Sequence, residues 1–453
     1  MSQVEQTLAE FVCSLQAGQV PPPARRIVRL MAMAVIGTGV AGAAEDGIAA
    51  MREMLLEAGG AAQATTLVYG DKLPAAATAQ FNATMCRALD FCDAMAPGPH
   101  LGAAIFPAAL AAAELTGGCS GTEFFAALAA GAEIASRFNL SEAQYNGYDP
   151  TGVAVVFGAA AAAARVLRLT PDQTLHALAL AFNRCAGSFQ SNVDGSLAVR
   201  VIQGWVAHAG VQCAQMAKRG ITGPVNFLTG HYGFSHLFGR GTLDPASVLA
   251  GLGEQWRLTR MVFKKYPSCG VTQGVTELAL ALVNESGLKG EDVQSAEIRL
   301  PPYAHRLVGH AFAPGANPRV DAQFSAAYCV ANAFVRGSSR LQHFTPAEVA
   351  NPQVRSLINR INVLADPGMD ARGHTAVDLD VTTRDDKVYK RALDIAPGFP
   401  GADLTDAQQE ARFRECMAYA PRPLSKDRVD QILVTLQDLP GLSDVRVLAG
   451  LLS

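Results

Sequence analysis

The sequence has no cysteines at metal-ligand spacing, no apolar run of membrane length and no surplus of basic residues. Each absence excludes a class of function. The nine cysteines are odd in number, widely scattered and never arranged as CxxC, which fits free thiols in a reducing compartment rather than a disulfide framework. The nine histidines include no HxxxH pair, so no metal site is expected. Lys and Arg total 37 against 40 Asp and Glu, a net charge of -3, and this balance lacks the basic footprint that nucleic acid requires. The apolar runs LMAMAVIGTGVAGAA (30–44) and VAVVFGAAAAAA (153–164) fall short of the roughly 18 residues that a membrane span needs, so both read as buried helices and no membrane partner is expected. The opening MSQVEQTLAEFV has no basic stretch followed by an apolar one, and a cytoplasmic location is the expectation.

What the chain does have is alanine and length. At 453 residues it exceeds one core and suggests two to three domains. From Val4 to about Trp256 alanine-rich segments with helical periodicity alternate with short Gly, Pro and Asn breaks. Alanine is the best helix former and lets helices approach closely, so AAIFPAALAAAEL (103–115) and FGAAAAAARVLRL (157–169) read as central packed helices. Thr170-Pro171-Asp172-Gln173, Thr345-Pro346-Ala347-Glu348 and Thr405 with Gln408 carry capping-box signals. Beyond Pro267 the texture changes. A helix from Gln273 to Ser286 leads into the strand-like SAEIRL (295–300), and VDLDVTT (377–383) alternates apolar with polar residues before VYKRALDI (388–395), a hairpin pattern. Helical signals fill AQFSAAYCVANAFVRG (322–337) and PAEVANPQVRSLINRI (346–361). The expected fold is mostly α with α+β: residues 1–264 form a large all-helical domain, 265–396 a smaller α/β domain, and 397–453 two helices that return to the helical domain.

Five blocks then carry a resemblance: FNATMCRALDFCDAMAPGPHLGAAIFPAALAAAE (81–114), GYDPTGVAVVFGAAAAAARVLRL (147–169), GSLAVRVIQGWVAHAG (195–210), FKKYPSCGVTQ (263–273) and DAQFSAAYCVANA (321–333). In this order and spacing they resemble the MmgE/PrpD family, which includes 2-methylcitrate dehydratases, cis-aconitate decarboxylases and iminodisuccinate epimerases. The resemblance implies an inserted lid domain, a cleft at the domain junction, a homodimer and no metal or organic cofactor. It also implies proton abstraction next to a carboxylate, followed by loss of water or carbon dioxide or by reprotonation. Such a step needs an acid, a base and cations that stabilise the developing charge.

Candidate residues follow from the matched blocks. Asp90 and His100 fall in the block resembling a DFDD…H signature, with His100 as acid/base and Asp90 orienting it; Cys92 stands where an aspartate is usual. Lys264 matches a lysine before the Tyr-Pro turn and is the candidate carboxylate anchor. Tyr328 aligns with a tyrosine that reaches into the cleft as a relay or oxyanion donor, against the alternative of an ordinary core aromatic. Lys265, Cys269, Thr272, Gln273, Arg200 and Asp149 are candidate substrate-binding residues. Asp149 with Pro150 and Thr151 is equally a strong helix cap.

Departures from the family pattern bear on the substrate. Asp149, Val199, Ile202 and Gln273 stand where relatives place histidine, lysine, histidine and histidine, and only Arg200, Arg184 or His208 could compensate. A tricarboxylate needs several cations, because an unpaired buried carboxylate costs several kcal/mol. The expectation is therefore a lyase or isomerase, a dehydratase first and a decarboxylase or epimerase second, acting on a small acid with fewer charges than methylcitrate. A noncatalytic homodimeric scaffold or ligand-binding protein is the competing reading.

Overall fold

A computed structural model describes residues 3–453. The chain divides into two compact units: one holds residues up to Ala88, Cys92–Met261 and Cys416–Ser453, and the other holds Leu89–Phe91 and Val262–Glu415.

The helices of the first unit include Pro22–Ala41, Ala75–Arg87, Gly102–Leu115, Gly121–Arg137, Val156–Val166 and Ala198–Lys218. Gly102–Leu115 and Val156–Val166 are buried on almost every side, as their alanine content requires. Glycines set the closest crossings. A β carbon on Gly131 would lie 2.7 Å from the Gly158 carbonyl, and one on Gly158 would lie 2.5 Å from that of Gly131. Helix Ala198–Lys218 is fitted the same way, at Gly204 against Gln80 and Thr84 and at Gly210 against Ala159. The helical stretch Pro22–Ala44 is long and apolar enough to cross a membrane, contrary to the shorter run expected at 30–44; most of that apolar stretch is buried inside the unit. A core helix passes the same length test.

The second unit is built on a four-stranded sheet in the order Ile361–Ala365, Val293–Leu300, Val377–Thr383, Val388–Leu393. Its first pair is parallel and the others are antiparallel. Val377, Leu379 and Val381 are buried in a core shared with helices Gln273–Ser286 and Ala326–Arg336. On the other face Asp378 and Asp380 meet Arg299 at 3.8 and 3.3 Å. The hairpin expected around 384–387 forms, with Thr382 opposite Val388.

Three expectations need correction. Residues 346–361 are not one helix: Pro352 divides them, with Asn351 capping the second piece through its side chain, and Ile361 already starts a strand. Its parallel partner is Val293–Leu300, a distant segment that no local pattern announces. Thr345 forms no side-chain cap: its hydroxyl donates to the Gln342 carbonyl at 3.2 Å, and the Glu348 carboxylate that would complete a box lies 2.5 Å from Arg336; the boxes at Thr170/Gln173 and Thr405/Gln408 do form. Finally, the second unit extends to Glu415 rather than ending at residue 396. Gly398 accepts the Phe263 N–H at 3.1 Å, the Glu415 carboxylate accepts the Leu341 N–H at 2.8 Å, and Arg412 donates to the Phe91 carbonyl.

Candidate active site

The tripeptide Leu89-Asp90-Phe91 is held inside the second unit by three long polar side chains. Gln323 donates to the Leu89 carbonyl at 2.7 Å, Arg412 to that of Phe91, and Lys264 to that of Asp90 at 2.7 Å. The Lys264 ammonium also lies 2.8 Å from Asp90 Oδ2. Lys264 is 2% exposed and Asp90 5%, so this is a buried ion pair. Desolvation makes such a pair costly to break from one side. Asp90 adopts φ +50°, a left-handed conformation that aspartate tolerates better than most residues. It places the carbonyl and carboxylate of one residue on one ammonium.

The turn after Lys264 is locked by Gln273. Its amide oxygen accepts the Tyr266 N–H at 2.8 Å, and its amide nitrogen donates to the carbonyls of Tyr266, Ser268 and Cys269 at 3.0, 3.2 and 3.2 Å. Thr272 donates to Ser268 Oγ at 2.7 Å and to the Cys269 carbonyl at 2.8 Å. Both were candidate substrate ligands; both are buried and spend their polar atoms on the turn. Cys269 is also buried, and its N–H is donated to the Gln323 carbonyl at 2.9 Å. Lys265 faces away to Glu277, at 2.9 and 2.7 Å from its two oxygens, and the Tyr266 hydroxyl donates to the same carboxylate.

Tyr328 takes the place that its apolar surroundings allow. It is 0% exposed, its ring packs on Phe312 and Phe344, and its hydroxyl donates to the His343 carbonyl. It is a core aromatic of the second unit, which corrects the relay role. Burial also pushes its phenol up to about 12.

In the helical unit, His100 lies two residues before helix Gly102–Leu115. Asp93 takes the helix end itself, with Oδ2 accepting the N–H groups of Leu101 and Gly102 at 2.9 Å each. The carboxylate therefore occupies the anion position at the N-terminus of this helix. His100 is fixed at three points. Its N–H is donated to Thr151 Oγ1 at 3.0 Å, its carbonyl accepts from Gln203 at 2.8 Å, and its Nδ1 lies 2.7 Å from the Asp93 carbonyl and 3.4 Å from Cys92 Sγ. A carbonyl only accepts, so Nδ1 carries the proton in this contact, and in the neutral ring the lone pair is then on Nε2. The group orienting the imidazole is thus the Asp93 backbone, with Cys92 beside it. Asp90 instead engages Lys264.

Asp149 behaves as the cap that its neighbours suggest. Its Oδ1 accepts the N–H groups of Thr151 and Gly152 at 2.9 and 3.1 Å, which positions Thr151 under His100. Burial raises its carboxyl above the usual range, against the opposing pull of those N–H groups and of Arg87. Arg200 is buried and donates to the Asp46 carbonyl at 2.8 Å, away from its expected role as a replacement cation. The sequence reading missed Asp93, Thr151, Gln203 and Glu277. Among the described residues no cluster of three or more His, Cys, Asp or Glu is placed to hold a metal.

The MmgE/PrpD N-terminal domain model matches residues 6–245, and the MmgE/PrpD C-terminal domain model matches residues 266–439. The chain belongs to the MmgE/PrpD family. Human cis-aconitate decarboxylase is 24% identical over 398 residues, covering 84% of this chain and 80% of that protein. A cis-aconitate decarboxylase-like protein, oryM, of Aspergillus oryzae is 26% identical over 419 residues, covering 85% and 84%. The cis-aconitate decarboxylase of Aspergillus terreus is 26% identical over 331 residues, covering 68% and 67%. At family level this MmgE/PrpD protein is of the decarboxylase or dehydratase type, a lyase. The two-part α and α+β architecture agrees with the two matched domains.

Proposed function

We propose that this MmgE/PrpD protein is a lyase that ionises the C–H bond next to a carboxylate of a small hydroxy- or unsaturated acid. The observation that carries the reading is the imidazole of His100, held through Nδ1 by the Asp93 carbonyl so that Nε2 is the nitrogen that exchanges a proton. A nitrogen so prepared serves as general base and, once protonated, as general acid. Lys264 supplies the ammonium for the substrate carboxylate and for the negative charge that develops in the transition state. Asp90 holds that ammonium oriented before substrate arrives. We give the first place to loss of water and the second to loss of carbon dioxide, which the names of the cited relatives favour.

The substrate proposed is poorer in charge than a tricarboxylate. Lys264 shares its charge with Asp90 and Lys265 with Glu277. Val199, Ile202, Asp149 and Gln273 add no cation. A homodimer is part of this proposal, and light scattering that gives a monomer would remove that part.

The test is a panel of hydroxy- and unsaturated mono-, di- and tricarboxylates in deuterated water. Deuterium should enter next to a carboxylate, fastest in acids with one or two carboxylates. His100→Ala should slow that exchange by about 10²- to 10⁴-fold, and Lys264→Ala should slow it as well. Labelled carbon dioxide separates the second reading from the first. Exchange absent from every acid, with the chain folded, would favour the scaffold.

A further inference from the structure

The helical unit carries a concavity of about 260 Å³ beside the C-terminal end of helix Pro171–Phe182 and one face of helix Ala198–Lys218. Small residues create it. Gly152 can carry no side chain, since a β carbon there would lie 1.7 Å from the Ala186 carbonyl oxygen. Gly187 has φ +109°, and a β carbon on it would lie 3.1 Å from that of Asp149. Ile202, Val206 and Ala209 form an apolar floor. At the rim stand Trp205 and Arg184.

Both rim residues are unusual for a surface. Trp205 is 55% exposed, whereas Trp256, the other tryptophan, is 7% exposed. An exposed indole beside an apolar floor is the kind of group that anchors ligands. The Arg184 guanidinium makes no hydrogen bond or ion pair among the described residues. An arginine without a carboxylate at the edge of an apolar recess fits a planar anion. One turn on from Trp205, burial and Arg184 itself lower the His208 imidazole below its ordinary value. Among the residues that line the concavity, Arg184 is the one that carries a positive charge.

We infer that this concavity binds a small amphiphilic monoanion, a carboxylate on an aliphatic or aromatic body, with the carboxylate on Arg184 and the body against Trp205, Val206 and Ile202. A dianion would leave one charge without a partner. The volume lies just under the range of about 300–1,000 Å³ that suits drug-sized ligands, so the ligand is smaller than those. Nothing in this site requires the chemistry proposed for His100 and Lys264.

Tryptophan fluorescence of the whole chain tests it without turnover, with benzoate and octanoate as probes. Either or both should change the emission saturably and protect the exposed indole from acrylamide, and Trp205→Phe should abolish the response. Arg184→Ala, at an exposed position where folding is checked by circular dichroism, should weaken binding at least about tenfold. Octylamine and citrate should give no saturable change. Three results would overturn the inference: no saturable response to either acid, unchanged affinity in Arg184→Ala, or a Trp205 already shielded from acrylamide in the free protein by a second copy of the chain.

Discussion

The two arrangements that carry the candidate chemistry are built from opposite materials. The His100 cradle is held mainly by neutral partners, a carbonyl, a hydroxyl and an amide. Lys264 is held by a buried carboxylate and by a carbonyl of the same residue. A neutral cradle leaves the imidazole's proton position to geometry, whereas an ion pair fixes charge before any ligand arrives. The difference suits the roles proposed: an acid/base group must change its charge, and an anchor must keep it.

The largest effect should come from breaking the charged arrangement. Lys264→Met leaves the Asp90 carboxylate buried against an apolar side chain, and the second unit should lose about 3–5 kcal/mol in denaturant unfolding. Adding Asp90→Asn should restore much of that loss. A double variant no more stable than the single one would show that the pair is not the source. By contrast Thr151→Val, which removes the acceptor for the His100 N–H, should cost the helical unit about 1–3 kcal/mol. Equal losses at the two positions would erase the distinction between charged and neutral support.

Gln273 belongs with the neutral supports. Four of its contacts staple the Tyr266–Cys269 turn, so Gln273→Ala should destabilise the second unit by about 1–3 kcal/mol and loosen Lys264 with it. Gln273→Glu should be worse, since a carboxylate would face three carbonyls. A variant folded as firmly as the parent would return Gln273 to the list of candidate ligands.

These cases show what was legible before the fold was known. Helix content, the hairpin, two capping boxes and the Asp149 cap were readable, because each is a local pattern of alanine periodicity, alternation or a cap three residues from its partner. Lys264 and His100 were readable as candidates through quoted motifs. Their partners were not. Asp93 reaches Leu101 and Gly102 across a loop, and Asp90 meets Lys264 across 174 positions. Only tertiary structure decides which of several nearby carboxylates faces which nitrogen. The strand Ile361–Ala365 was missed for the same reason, since its partner lies more than sixty residues earlier. Tyr328 was misread because a helical aromatic in an apolar stretch has the same local appearance in a core as at a site.

A pH-dependent test sharpens the picture of the second unit. Burial and the neighbouring Arg336 lower the His343 imidazole to about 4 from 6.5. Its neutral form accepts the Arg340 N–H at 3.2 Å. Between those two values the unfolded chain binds the extra proton and the folded chain does not. The stability His343 contributes is therefore complete above about 6.5 and is lost as pH falls towards 4. His343→Gln should flatten the stability profile over that window, as read by denaturation midpoints; an unchanged slope would place the titration elsewhere.

The smallest effect is expected at Tyr328, and it separates a core aromatic from a relay. Tyr328→Phe keeps the ring between Phe312 and Phe344 and removes the hydroxyl that donates to the His343 carbonyl. One neutral hydrogen bond is worth about 0.5–1.5 kcal/mol, so the second unit should weaken by that amount. Deuterium exchange into any accepted acid should continue at nearly the parental rate, because a hydroxyl engaged in the core moves no proton for the substrate. A relay would instead show parental stability with exchange slowed by about 10²-fold or more. That outcome would require Tyr328 to leave its core contacts when substrate binds.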